Sequence, residues 1–196
     1  LVETVDGSKR LPGAMAGYAD LLLDLAEYGT ASTLADSALK LITDSLPDIY
    51  PSQISVLNTA ARADYCRNDL LKAQERYRTA LEVCQRRSAT NTSGYAQALN
   101  GQGLVSIGLK RLVTADSLFL QAYNTCISIY GREHPFTARV MINRAQLRLL
   151  QRRPVEAKAL LLAALPITLR FLGKDHDQLG DIYEALGTIE RESGHQ

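Results

Sequence analysis

Tryptophan is absent from this 196-residue chain, and there are only three phenylalanines, two methionines and three cysteines. So few cysteines exclude the disulfide framework that holds many small secreted domains together. Cys66, Cys84 and Cys126 have neither CxxC nor metal-ligand spacing. They read as small buried apolar residues in a reducing compartment, and a cytoplasmic location is expected. An excess of one charge is also missing: 22 Lys and Arg stand against 21 Asp and Glu, a net charge of +1. Neither nucleic acid nor a membrane surface is therefore an expected partner. No apolar run reaches the roughly 18 residues of a membrane span. The longest candidate, 157–171, is broken by Lys158, Pro166 and Arg170. The chain starts at Leu1 and its first ten residues lack a signal-peptide core. It is expected to be a piece of something longer, or a form whose leader has been removed.

Small residues, by contrast, recur in strict register. Alanine stands at Ala31, Ala73, Ala115 and Ala157, and again at Ala38, Ala80, Ala122 and Ala164, with a step of 42 residues. Ala19, Ala61, Gly103, Ala145 and Gly187 keep the same step. A fixed period of this length marks a repeat architecture. Within one unit, Ile54, Leu57, Ala61 and Tyr65, then Leu70, Ala73, Tyr77, Ala80, Leu81 and Cys84, have helical spacing. Good helix formers dominate and strand alternation is absent. Each unit thus reads as two helices whose alanines let the axes approach to roughly 8–10 Å. Turns inside the units are expected at Tyr28-Gly29-Thr30, Arg67-Asn68-Asp69, Leu109-Lys110-Arg111 and Arg152-Arg153-Pro154. Gly131 and Gly173 suit helix ends, and Pro51, Pro135 and Pro154 suit helix starts.

Sequence chemistry argues against an enzyme. No GxxxxGK[ST], GxSxG or HExxH occurs, and Gly101-Gln102-Gly103 lies in a helical stretch with no preceding strand. Cys66 has no evident histidine partner. His134 and His176 lie one period apart, too far to share a metal, and read as linker residues packed against their own turns. Arg144, Arg148 and Arg152 form a basic stripe that reads as a solvated flank. No cofactor and no metal are expected.

The linker Tyr130-Gly131-Arg132-Glu133-His134-Pro135 is echoed by Leu172-Gly173-Lys174-Asp175-His176-Asp177. Together with Asn143-Arg144-Ala145, Glu156-Ala157 and the small-residue series, these stretches resemble the tetratricopeptide repeat. The 42-residue period is similar to the kinesin light chain type. Arg144 in place of leucine and Asp177 in place of proline depart from its pattern. The resemblance, over residues 11–194, implies an all-α, right-handed superhelical solenoid of antiparallel helix pairs. In this register the repeats span 11–52, 53–94, 95–135 and 136–177, with a first helix of a fifth repeat, or a capping helix, at 178–196. Residues 1–10 are expected to end a preceding helix, and the array to continue past Gln196.

First helices of such arrays line a concave groove. Carried onto this chain, the groove stripe is Ser55, Asn58, Arg62 and Tyr65, then Gln97, Asn100, Leu104 and Ile107. It continues through Arg139, Ile142, Gln146 and Leu149 to Asp181, Glu184, Thr188 and Arg191. Each set is spaced i, i+3, i+7, i+10 and shares one helix face. The lysine, arginine and asparagine clamp of chaperone-binding members is not matched. Its places hold Ala16, Asp20, Thr59, Gln97 and Gly101, or one repeat later Asn58, Arg62, Gly101, Arg139 and Asn143. The expected function is a scaffold that binds a protein or peptide. The alternative is an intramolecular regulatory or sensor segment of a larger signalling or protease protein. Self-association through the solenoid ends is also open.

Overall fold

The computed structural model describes residues 2–44, 52–173 and 176–193. These form nine α-helices and no strand: α1 Val2–Asp24, α2 Tyr28–Asp44, α3 Gln53–Cys66, α4 Leu70–Arg86, α5 Ser93–Gly108, α6 Leu112–Tyr130, α7 Pro135–Leu150, α8 Pro154–Leu172 and α9 Asp177–Ser193. They fall into two compact units, Leu1–Leu109 and Lys110–Gln196.

In the first unit each helix packs on its successor, and α3 also meets α1 and α5. The spaced alanines are the contact points. Ala19, Ala31, Ala35, Ala60 and Ala63 close around Leu22 and Leu23, and Ala61, Ala73, Ala80 and Ala98 close around Leu57, Tyr77 and Val105. In the second unit α7 packs on α6, α8 and α9. Ala138, Ala145, Ala157 and Ala164 lie there against Leu161, Leu179 and Ile182. Apolar burial drives both assemblies, and the missing side chains set how closely the axes approach. Gly101 is the extreme case. A Cβ there would lie 2.1 Å from the Tyr77 ring, so glycine alone lets α5 cover that aromatic. Gly187 departs from its series: it is exposed, and a Cβ would meet nothing within 4 Å.

Turns inside the 42-residue repeats share a left-handed residue. Ala26, Asn68, Lys110 and Arg152 have φ of 61°, 62°, 59° and 57°, and the four positions keep the 42-residue step. At Asn68 the turn closes with two backbone bonds, Asn68 N–H to Tyr65 C=O and Asp69 N–H to Asp64 C=O, both 2.9 Å. This 5→2 and 6→1 pairing satisfies carbonyls that the helix end leaves open. The expected first turn at Tyr28-Gly29-Thr30 is thereby corrected. It lies at residues 25–27, where the register puts it, and Gly29 is inside α2. Leu25–Glu27 closes the same way, Glu27 N–H meeting Leu22 C=O at 2.8 Å.

Gly131 and Gly173 end α6 and α8 with φ of 83° and 80°. Pro135 and Pro154 each start a helix, whereas Pro51 lies outside the described residues. His134 and His176 cap α7 and α9: each Nδ1 accepts the backbone N–H two residues on, at 3.1 and 3.2 Å. One helix runs from Val2 to Asp24 with Pro12 inside it, so residues 2–10 and the start of the first repeat lie on the same helix.

Candidate partner-binding face

Four places on each first helix make up the expected groove stripe, and the structure separates them by depth. Ser55 on α3, Gln97 on α5, Arg139 on α7 and Asp181 on α9 share one register position, and all are exposed. Three residues on, Asn58, Asn100 and Ile142 are buried at 6%, 7% and 3% exposure, and Glu184 is exposed. The reason is visible at Asn58. Its Nδ2 donates to the Gly94 carbonyl at 2.9 Å, joining α3 to the start of α5, while its Oδ1 is buried with no partner. Asn58 therefore holds two helices together, and neither it nor the buried Asn100 is exposed like Ser55 and Gln97.

The third position is mixed. Gln146 is exposed, Leu104 and Thr188 are half-buried, and Arg62 is bound within the chain. Arg62 forms ion pairs with Asp20, at 3.4 Å, and with Asp24. Asp20 lies one period before Arg62 and also accepts from Thr59 Oγ1 at 2.9 Å. Burial pushes the Asp20 carboxyl up from its ordinary range, against the pull of Thr59 and Arg62. At the fourth position Tyr65, Ile107 and Leu149 are half-buried and Arg191 is exposed. Arg139 reaches the neighbouring first helix: the side-chain oxygen of Gln178, turned to satisfy both groups, accepts from its Nε at 2.7 Å and Nη2 at 3.0 Å.

The basic stripe is the clearest correction. Arg148 is no solvated flank residue. Its side chain is 10% exposed and contacts Asp116 at 2.9 Å, Glu156 at 3.1 Å and Gln151 at 2.7 Å. Arg144 is half-buried over the Tyr123 ring, 5.1 Å from the centroid, and burial lowers its pKa. In the first unit Asp64, with 2% of its side chain exposed, sits between Arg76 at 3.0 Å and Lys72 at 3.5 Å, and both cations also reach Asp36. Sequence spacing missed these networks, although Asp20–Arg62 could have been found as opposite charges one period apart.

A cavity of about 340 Å³ opens in the second unit, lined among others by Tyr123, Met141, Pro166 and Phe171, with Arg132, Glu133 and Arg170 beside them. Among the described residues no cluster of three metal-ligating side chains forms, and no helix is long and apolar enough to cross a membrane.

Helices joined two by two through three-residue turns, with buried alanines at a fixed 42-residue step, make up a tetratricopeptide-like helical repeat fold. The comparisons agree. Residues 94–168 match the tetratricopeptide repeat family. The fold is similar to the crystal structure of BtubC (BKLC) from P. vanneervenii, with a TM-score of 0.77 and 19% identity over 95% of this chain and 74% of that one. It is also similar to the nearly identical TPR-like repeats of a Podosopora anserina kinesin light chain, in two structures with TM-scores of 0.70 and 16% identity. These cover 95% of this chain and 91% or 92% of theirs. No curated protein matches the sequence. Residues 94–168 thus match tetratricopeptide repeats by sequence, and the fold of the chain is similar to that of the TPR-like repeats in these structures.

Proposed function

We propose that this chain is a non-enzymatic scaffold that takes up a peptide or a partner domain along the exposed first-helix positions. The observation that carries the reading is the tetratricopeptide match over residues 94–168, since repeats of this type generally mediate protein–protein binding. In the first unit the contacts are Ser55 and Gln97, with Arg62 contributing what its two aspartates leave available. In the second they are Arg139, Gln146, Asp181 and Glu184. Their mixture of amide, hydroxyl and both charges suits polar side chains and peptide backbone more than one strongly charged ligand. The repeats belonging to this reading are 11–52, 53–94, 95–135 and 136–177, followed by the helix of 178–196. A cytoplasmic setting goes with it, supported by three free thiols of which Cys84 and Cys126 are buried.

Selection from a displayed peptide library tests the proposal, with the chosen peptide then titrated against variants. Gln97→Ala, Arg139→Glu and Glu184→Arg should each weaken binding about tenfold. Arg152→Glu, in the turn between α7 and α8, should leave it unchanged. Equal responses to Arg139→Glu and Arg152→Glu would mean that a general field, and not a first-helix contact, holds the peptide.

A further inference from the structure

The cavity of the second unit has an apolar wall that the repeat register alone does not supply. Its α8 side is made of Ala163, Pro166, Ile167 and Phe171. One period earlier, α6 carries Gln121, Asn124, Thr125 and Ile129 at these places, and two periods earlier α4 carries Thr79, Glu82, Val83 and Arg87. The apolar wall therefore belongs to this repeat and is no general consequence of stacking helix pairs. Exposure among the lining residues falls from 49% at Phe171 to 7% at Met141, which puts Met141 of α7 at the floor.

Three charged side chains also line the cavity, and two of them are engaged. Arg170 pairs with Glu133 at 3.1 Å and lies over the Phe171 ring, 5.1 Å from its centroid. Arg132 has no ion-pair or hydrogen-bond partner among the described residues. The site thus offers one free cation beside a glutamate that repels further negative charge. That combination favours a single carboxylate over a doubly charged phosphate. Volume decides what the carboxylate is attached to. The cavity, about 340 Å³, is at the small end of ligand pockets. A methylene occupies about as much space as a water molecule in the liquid, roughly 30 Å³, so a chain of about ten carbons fills it. One leucine side chain from a docked protein would fill only about a third. We propose that this cavity binds a medium-chain fatty acid, its tail against Met141 and Ile167 and its carboxylate on Arg132. The site needs none of the first-helix positions assigned to a protein partner, so the two readings stand or fall separately.

Calorimetric titration of the intact chain with decanoate tests this, with one molecule expected per chain. Affinity should rise about fourfold for each methylene from hexanoate to decanoate. It should level off beyond about twelve carbons, when the cavity is full. Decyl phosphate, a dianion above neutral pH, should bind more weakly than decanoate. Arg132→Gln should weaken decanoate about fivefold and leave decanol unchanged. Ala163→Leu, at an exposed position of α8, should block both ligands with the helical signal and melting temperature unchanged. Arg152→Gln, in the turn between α7 and α8, should have no effect. A chain that does not bind decanoate saturably overturns the proposal, as does affinity that keeps rising with tails well past the filling length. Binding that survives Ala163→Leu, or Arg132→Gln weakening decanol as much as decanoate, does the same. Tighter binding of decyl phosphate would overturn the choice of a monocarboxylate.

Discussion

Arg148 occupies the place that Asp64 holds two repeats earlier, 84 residues away, with the opposite charge. Each reaches the residue eight positions on. Arg148 meets Glu156 at 3.1 Å and Asp64 meets Lys72 at 3.5 Å, so the whole pair is inverted. The copy between them has Ser106 and Thr114, which are neutral. A buried polar position near the end of the first helix thus accepts either sign, provided the start of the second helix supplies its complement. The two versions differ in energy. A cation in the last turn of a helix is favoured by the backbone dipole and an anion there is not. The hydrogen bond that Arg148 donates to Asp116 holds its guanidinium above the ordinary pKa, whereas burial pushes the Asp64 carboxyl up despite Arg76 and Lys72.

Removing Arg148 should therefore be costly. Arg148→Met leaves Asp116 and Glu156 without their common cation and should destabilise the chain by about 3 kcal/mol in urea denaturation. Arg153→Ala, which removes only an exposed pair with Glu156, should cost less than about 0.5 kcal/mol. Similar losses for the two would show that the buried network contributes no more than a surface pair.

Asp64 has the opposite signature in pH. Its carboxyl keeps a proton to higher pH in the folded chain than in the unfolded one. That stabilising contribution is full below the ordinary carboxylate value and is lost as pH rises through the folded value. Asp64→Asn abolishes the dependence. In the pH window just above the ordinary carboxylate range the stability of the natural chain should fall, as pH rises, relative to that of the variant. A constant difference across this window would contradict the raised value.

Left-handed residues at the inner turns give a third test. Lys110 and Arg152 carry side chains at φ of 59° and 57°. Glycine has no steric penalty there, so Lys110→Gly and Arg152→Gly should stabilise by about 0.5–1 kcal/mol. Ordinary helix-interior glycines act in the other sense, and a melting temperature that drops in both variants would show that these turns are not left-handed in solution.

These turns also show what was legible in the sequence. The 42-residue alanine register announced the helix pairs, because a small residue at a fixed step has one economical cause, a helix contact. Ala115, Ala122, Ala157 and Ala164 are all fully buried. The first turn was misplaced because Gly29 advertises a break by residue type, whereas the true left-handed residue, Ala26, advertises it only by register. For the partner face, spacing at i, i+3, i+7 and i+10 gave direction without depth. Asn58 and Asn100 point along the expected side and are nevertheless covered. Arg148 was missed for a related reason: an arginine every fourth residue looks solvated until Asp116, 32 residues earlier, is placed beside it.

Glycine substitutions separate contact from mere register. Gly101→Ala drives a Cβ into the Tyr77 ring and should destabilise by about 3 kcal/mol, at the upper end of overpacking costs. Ala115→Leu, at a fully buried contact, should cost about 1–3 kcal/mol. Gly187→Ala belongs to the same small-residue series as Ala61 but meets open space, and should stabilise α9 by about 0.5–1 kcal/mol. A loss at Gly187 comparable to that at Ala115 would place another surface over α9.

The three thiols should react in an order set by burial. Cys126 is fully buried and its pKa is pushed up to about 12, leaving almost no thiolate at neutral pH. Burial raises Cys84 as well, and its side chain is equally inaccessible. Cys66 is raised by burial too, but Arg62 draws it back and it is only half-buried, at the end of α3. The thiolate is the reactive form, so access and its small thiolate fraction both put Cys66 first. An excess of a thiol-specific reagent at neutral pH should modify one residue per folded chain, identified as Cys66 by peptide mapping, and three in denaturant. Raising the pH should speed the reaction of Cys66 while Cys84 and Cys126 continue to wait on unfolding. Their labelling rate should then rise with urea in parallel with the loss of helix. If Cys126 is modified as fast as Cys66 in the folded chain, α6 does not turn this side chain inward, and the register that places Cys84 and Cys126 at equivalent buried points is wrong.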